Sequence, residues 1–290
     1  MKLINSSFEI YEQGPGLEGI YRQIEIAGRT CYKSEDKITG DSAKGFVERM
    51  VKSGHKAMLE HGTVYLMIPN KEAWDALGDN WVLDNYRASP YSVINCDTQS
   101  YYITTNYRVL VENGWLDDLK YLCEPTEHHE RRVTVKFICD RGVSHEFVRH
   151  RVFSFAQEST RYCNYSKDKF GNELTFIIPS WLDKYSRDKL DSTGHREDGT
   201  SDMFTSDDFD EELKDVEARY FSMLMAGCKP QEARQILPNA LKTELVMTGF
   251  VSDWQHFFDL RARGITGAPH PDAKALAEPL MREFYKRELL

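Results

Sequence analysis

Apolar positions recur at helical spacing early in the chain. Leu17, Ile20, Ile24, Ala27 and Cys31 line one face of a helix predicted over residues 16 to 31. A second helix is predicted to open at Asp41 or Ser42, either of which can cap it, and to bury Phe46, Val47 and Met50 until Gly54 breaks the pattern. The period then falls to two: Val64, Leu66 and Ile68 share one face of a strand over residues 63 to 68. Residues 71 to 86 return to helical spacing through Trp74, Leu77 and Trp81, and residues 101 to 111 are rich in β-formers, with Asn106 as a cap or turn. A second strand carries Val133, Val135, Phe137 and Cys139. Asp140-Arg141-Gly142 turns it, and Ser144 can cap a short helix over residues 145 to 150. Residues 175 to 178 make one more strand, stopped by Pro179. After a polar, acidic loop at 186 to 208, Thr205 and Asp208 match a capping box for a helix burying Leu213, Val216, Tyr220 and Leu224, which Gly227 and Pro230 end. The final pattern, Leu241, Leu245, Thr248, Trp254 and Phe258, predicts a long helix from about 239 to 261. Gly249 inside it would cost about 1 kcal/mol relative to alanine, which a bulky group or a second helix packed on the backbone would explain.

Composition narrows the picture. The 290 residues are 41% hydrophobic and 29% charged, ample for a sizeable core. A net charge of −9 argues against a general nucleic-acid binder. The six cysteines are scattered without a CxxC pair, and neither a signal peptide nor a membrane-spanning apolar run is visible. Reduced thiols in a cytoplasmic protein are the expectation. Cysteines and histidines lack metal-ligand spacing, and His55, Glu60 and His61 have no evident third ligand, so no metal is expected. Trp81, Tyr86, Tyr91, Tyr101, Tyr102 and Tyr107 suit either core packing or ring stacking.

One stretch reverses the acidic balance. Residues 149 to 162 hold Arg149, His150, Arg151 and Arg161, with Ser154, Ser159 and Thr160 as hydroxyl donors. Apolar Val152, Phe153, Phe155 and Ala156 interrupt the charges, so the segment is expected to be partly buried, where arginines require partners. A polyanionic ligand or a set of structural ion pairs would serve; forked guanidiniums suit phosphate and carboxylate.

The spacing of Arg149-His150-Arg151, then seven residues, then Ser159, then Arg161-Tyr162, resembles the RHR-x7-S signature of the flavin-dependent thymidylate synthases. Three further segments, in that family's order, are similar to it: Gly54-His55 through Glu60-His61, Ala233-Arg234 through Leu237-Pro238, and His256-Phe257 through Leu260-Arg261. The resemblance implies one α/β domain over residues 1–290, a central mixed sheet flanked by helices, with insertions near 70–125 and 186–208, assembled as a homotetramer with active sites shared between subunits. It implies reductive methylation of dUMP to dTMP, with methylenetetrahydrofolate as carbon donor and FAD as hydride carrier, regenerated by NADPH. Arg261, with Arg149, would stabilise charge on the uracil ring. Glu146, Arg149, Gln157, Glu158, Ser159, Thr160, Arg161, Arg234 and Arg261 would hold dUMP. His55, Ala57, Arg149, His150, Arg151, Gln157, Phe250, Val251, Ser252 and His256 would hold FAD, with His150 and Arg151 supplying cations to its diphosphate. On this reading the bulky group against Gly249 is the flavin.

This chain departs from the family pattern in places. Glu146 stands where glutamine is frequent, Ala156-Gln157 replaces Asn-Glu, Phe250 stands where asparagine is common, and Ala57 where a hydroxyl is common. Two other classes stay open: a metal-dependent nucleotide hydrolase without flavin, and a non-catalytic nucleotide-binding protein.

Overall fold

The computed structural model describes residues 1–70, 82–161, 163–190, 195–196 and 204–290. Trp74, Leu77, Trp81, Tyr162 and residues 191–194 and 197–203 of the acidic loop lie outside them. Two strands open the chain, β1 (Lys2–Ile4) and β2 (Ser7–Tyr11). The 3.6-residue pattern then forms α1 (Gly16–Tyr32), burying Ile20, Ile24 and Ala27, and α2 (Ser42–Ser53), burying Phe46 and Val47. Gly54 ends α2 at a φ of 76°, a left-handed position open to glycine at no steric cost. Asp41 is the N-cap residue, but its carboxylate accepts from Thr39 Oγ1 instead of the helix.

A 3₁₀ turn (Lys56–His61) leads into β3 (Thr63–Pro69), where Val64, Leu66 and Ile68 are buried. Next come α3 (Val82–Ala88), β4 (Val93–Cys96) and β5 (Ser100–Asn106). Asn106 caps α4 (Tyr107–Asn113), its side chain accepting from the Val109 amide at 3.2 Å. Strand β5 pairs antiparallel with β3 and β4 on either side. Tyr86, Tyr102 and Tyr107 are buried, so these rings are core, while Tyr91 is exposed.

The second half of the chain supplies the central sheet. Its elements are β6 (Arg132–Asp140), α5 (Arg141–Phe147), β7 (Ser154–Gln157), β8 (Thr175–Ile177), α6 (Ser206–Met225), α7 (Pro230–Ala233), β9 (Lys242–Phe250), α8 (Val251–Phe258) and α9 (Pro271–Lys286). The strand order is β2-β6-β9-β7 with every pairing antiparallel. Strand β8 pairs parallel with β1, and a lone Phe176–Leu241 bridge ties that pair to the entry of β9. Pairings are therefore mixed across the assembly but antiparallel throughout the four-stranded sheet. Trp254, Phe137, Phe147, Phe153, Phe257 and Phe284 pack between this sheet and helices α8 and α9. The Trp254 indole N–H donates to the Val133 carbonyl at 3.1 Å, which satisfies its polar edge in the core.

Two expectations are corrected. The predicted helix over 239 to 261 is strand β9 followed by α8. Thr243 through Gly249 are all buried, because β9 lies between two strands with both faces covered. Such a strand reads as a continuous apolar run and imitates a buried helix. Gly249 leaves room for neither a flavin nor a second helix: a Cβ there would stand 2.5 Å from the Phe153 ring. The short helix after β6 begins at Arg141 and is capped by Asp140, whose carboxylate accepts from the Val143 amide at 2.8 Å. Ser144 lies inside the helix and donates to the Arg141 carbonyl.

Candidate functional site

Helix α5 leaves the end of β6 carrying Glu146 in its last turn. Two tight turns follow, with the His150 amide bonded to the Phe147 carbonyl and the Phe153 amide to the His150 carbonyl, each at 3.1 Å. They set Arg149, His150 and Arg151 in a bend before β7.

Arg261 approaches this bend from the other side. After Phe258 the helix widens into a π turn (Asp259–Arg263). From there Arg261 donates through Nη1 to Glu146 Oε2 at 2.6 Å, through Nη2 to the Glu146 main-chain oxygen at 2.8 Å, and through Nε to His150 Nε2 at 3.1 Å. The last bond needs a lone pair on Nε2, so His150 is neutral with its proton on Nδ1. Burial first, then the positive charges of Arg261 and His256, push the His150 pKa down to about 4, against the pull of Glu146. A guanidinium has five N–H groups; with three committed, one remains on each terminal nitrogen of Arg261. Arg149, mostly exposed, reaches the other Glu146 oxygen at 3.4 Å. His150 is therefore corrected as a cation for a diphosphate: it is buried, uncharged and occupied as an acceptor. Arg151 is exposed.

A second group gathers beyond β7. Gln157 Nε2 donates to Ser144 Oγ at 2.9 Å and to Thr243 Oγ1 at 3.2 Å. The Ser159 amide donates to the Cys31 carbonyl at the end of α1, at 3.2 Å. Arg234 Nη1 donates to Thr160 Oγ1 at 3.3 Å, which joins two separately recognised segments. Arg161 is exposed at the same bend. His55 belongs to this side as well, its Nδ1 lying 3.0 Å from the hydroxyl of Tyr32, next to Cys31. Ala57 is exposed and its side chain offers no polar atom.

Glu158 departs from its expected part. It is 2% exposed, one carboxylate oxygen accepting from Tyr165 OH at 3.1 Å and the other paired with Lys242 Nζ at 2.8 Å. Its side chain anchors the loop from below and is not presented to a ligand. Lys242 also meets Glu244 at 2.6 Å, and Lys33 and Lys136 reach the same carboxylate at 2.8 and 2.6 Å. Burial alone would raise the Glu244 pKa, but the three lysines outweigh it and hold the group far below the usual carboxylate range. Sequence reasoning missed this network. The Lys242-Thr243-Glu244 alternation is a strand signal that the helical reading obscured.

The remaining flavin candidates sit where β9 passes into α8. The Arg132 guanidinium lies 5.5 Å over the Phe250 ring, the Val251 amide donates to the Arg131 carbonyl at 2.9 Å, and the Ser252 amide donates to Glu130 Oε1 at 3.2 Å. His256 is exposed, its ring centre 6.1 Å from that of His150.

His61 is wholly buried, with Nδ1 2.8 Å from Thr248 Oγ1. Burial, assisted by nearby Arg132, pushes its pKa down to about 3 from the ordinary 6.5. A depressed folded-state value gives a contribution to stability that is complete above about pH 6.5 and lost as pH falls through the folded value, on the order of several kcal/mol. The thermal stability of the wild type should therefore weaken as pH falls from 6.5 to 3, and His61→Gln should flatten that slope. Parallel pH profiles would refute the assignment.

All six cysteines are free. Among the described residues no cluster of three or more His, Cys, Asp or Glu is placed to hold a metal, and no helix is long and apolar enough to cross a membrane.

A family model described as "Thymidylate synthase complementing protein" matches residues 121–287. A flavin-dependent thymidylate synthase from Mycobacterium avium is 24% identical over 245 residues, covering 82% of this chain and 66% of the relative. One from Pyrococcus abyssi is 27% identical over 152 residues, covering 52% of this chain and 53% of the relative. The chain thus spans between about half and two thirds of the length of these relatives. A crystal structure of the UMP/dUMP methylase PolB from Streptomyces cacaoi aligns with 99% of this chain and 92% of its own at 14% identity and a TM-score of 0.46, a likeness too distant to build on. With the family match covering more than half of the residues, the chain belongs to the thymidylate synthase complementing protein family, whose curated relatives bear the name flavin-dependent thymidylate synthase.

Proposed function

We propose that this chain catalyses the reductive methylation of dUMP to dTMP, with FAD as its cofactor, methylenetetrahydrofolate as carbon donor and NADPH as reductant. The observation that carries the reading is Arg261, held by three hydrogen bonds beside Arg149 with two N–H groups left over. Charge that develops on a pyrimidine oxygen would meet donors already oriented, so the chain need not reorganise when it appears. The Ser159 hydroxyl, Arg161 and the Arg234–Thr160 pair supply phosphate donors at the other end.

The donor set also suits FAD. Arg149 and Arg151 expose forked cations that fit a diphosphate, and His55 and His256 expose rings that can lie against a flavin. When bound, FAD supplies the hydride. The protein's part is to hold Arg261 against a neutral His150 and to fix the phosphate. No nucleophilic cysteine is required: burial pushes the Cys31 thiol above its ordinary pKa and the Cys123 thiol up to about 11. Arg149, Arg151, Arg161 and His256 stand exposed on a single chain, which supports a homotetramer whose subunits complete one another's sites. Free cysteines support a cytoplasmic location.

The test is an absorption spectrum of the purified protein, then anaerobic reduction and addition of dUMP. A flavin spectrum whose reoxidation changes with dUMP supports the reading; a colourless protein that takes up no FAD overturns it. Arg161→Ala is expected to weaken dUMP binding at least about tenfold, the loss of one charge-assisted phosphate contact, while FAD affinity changes little. Equal losses for both ligands in titrations would remove the phosphate role.

A further inference from the structure

We propose that Glu146 is a positioning residue for Arg261: it fixes the guanidinium through both its side chain and its main chain, and its charge offsets part of the positive field that an anionic pyrimidine meets. The proposal rests on the reading above for its ligand, but its geometry is independent of it. Glu146 is the only carboxylate paired with Arg261 among the described residues, at 2.6 Å, and it also faces Arg149 at 3.4 Å. Its carbonyl oxygen takes a second Arg261 donor at 2.8 Å. One residue thereby fixes two of the three guanidinium nitrogens, and Nε falls to His150 as a consequence.

The charge matters as much as the shape. Within the Arg149–Glu146–Arg261 cluster, two guanidiniums and one carboxylate leave a net single positive charge. A glutamine would still accept from Arg261 but would leave two positive charges. Glu146 and an incoming anion therefore compete for the same cations, which weakens binding of the anion while keeping Arg261 in register. An amide at this position would tighten binding without that restraint.

Two variants separate shape from charge. Glu146→Gln should keep Arg261 in place and bind dUMP several-fold more tightly at low salt, with the gain fading as salt screens the field. Glu146→Ala should lose turnover by more than about tenfold, the scale of one misplaced catalytic group, with a smaller change in dUMP affinity.

A third readout needs no cofactor. In histidine-labelled protein without ligands, NMR titration follows His150, assigned by the signal lost in His150→Gln. If Glu146 holds Arg261, Glu146→Ala frees the guanidinium and the His150 pKa rises. If Arg261 stays unaided, loss of the Glu146 charge leaves that pKa unchanged or lower, and the proposal is overturned. The two readings fail separately. A raised His150 pKa in a protein that binds neither FAD nor dUMP rejects the function and keeps the positioning role. Flavin and dUMP binding with an unmoved His150 and unaltered turnover in Glu146→Ala rejects the positioning role and keeps the function.

Discussion

Arg261→Ala is expected to lower methylation by at least about 100-fold, the range found when one preorganised donor is removed from a developing oxyanion. The variant should remain folded. Arg261 and Glu146 are partly buried rather than sealed, with side-chain exposures of 15% and 27%, so the ion pair is screened. Its loss should cost about 1–2 kcal/mol, less than the 3–5 kcal/mol for breaking a fully buried pair. Arg261→Lys should fare little better. An ammonium cannot reach Glu146 Oε2, the Glu146 carbonyl and His150 Nε2 in one plane, whereas the guanidinium does. Turnover, dUMP affinity and melting temperature measured together decide the matter. Wild-type turnover in Arg261→Ala would reject the proposed role outright, and a collapsed melting curve would make Arg261 a structural residue.

The second large effect is expected from one added methyl group. Gly249→Ala should destabilise the protein by about 1–3 kcal/mol, the range for overpacking a close-packed core. The new Cβ would stand 2.5 Å from a Phe153 ring that cannot easily yield. Phe153 is 5% exposed, and its ring packs edge-on to Trp254 at 4.7 Å between centres, with Phe257 and His150 at 6.3 Å. Displacing it therefore presses toward the neutral histidine that holds Arg261. The melting temperature should drop by several degrees, and Phe153→Leu in the same chain should recover part of the loss by clearing the space. An unchanged melting temperature in Gly249→Ala would show that the ring moves freely. The substitution separates the packing explanation of this glycine from the ligand explanation, since the methyl meets Phe153 whether or not flavin is bound.

What the sequence disclosed depended on how many faces of an element are buried. Helix α1 and strand β3 were legible because apolar residues keep to one side or follow a simple alternation. Strand β9 was not, because both its faces are covered and its polar residues, Lys242, Glu244 and Thr248, have partners in the interior. The four recognised segments were legible as spacings. Their pairings across the fold were not: Arg261 meets Glu146 from 115 positions away, and Lys33 meets Glu244 from 211. No local pattern encodes those distances. Resemblance alone made a cation of His150 and a ligand of Glu158. Burial assigns the first to a neutral acceptor and the second to an anchor, because a charge is costly in the interior unless paired.

The π turn at Asp259–Arg263 bears on how this stretch can vary by descent. A turn of this kind holds one residue more than an α-helix would over the same rise. Removing a single residue there and restoring the tighter winding would leave the chain beyond the turn nearly in register, because the wide turn had already absorbed the extra residue. Arg261 lies inside the turn, so its own direction would change and its aim at Glu146 would be lost even if every remaining amino acid were unchanged. Substitutions can be absorbed one at a time along this helix, but a change of length within this turn reaches Arg261 directly. A relative lacking the extra residue must deliver its arginine from another register.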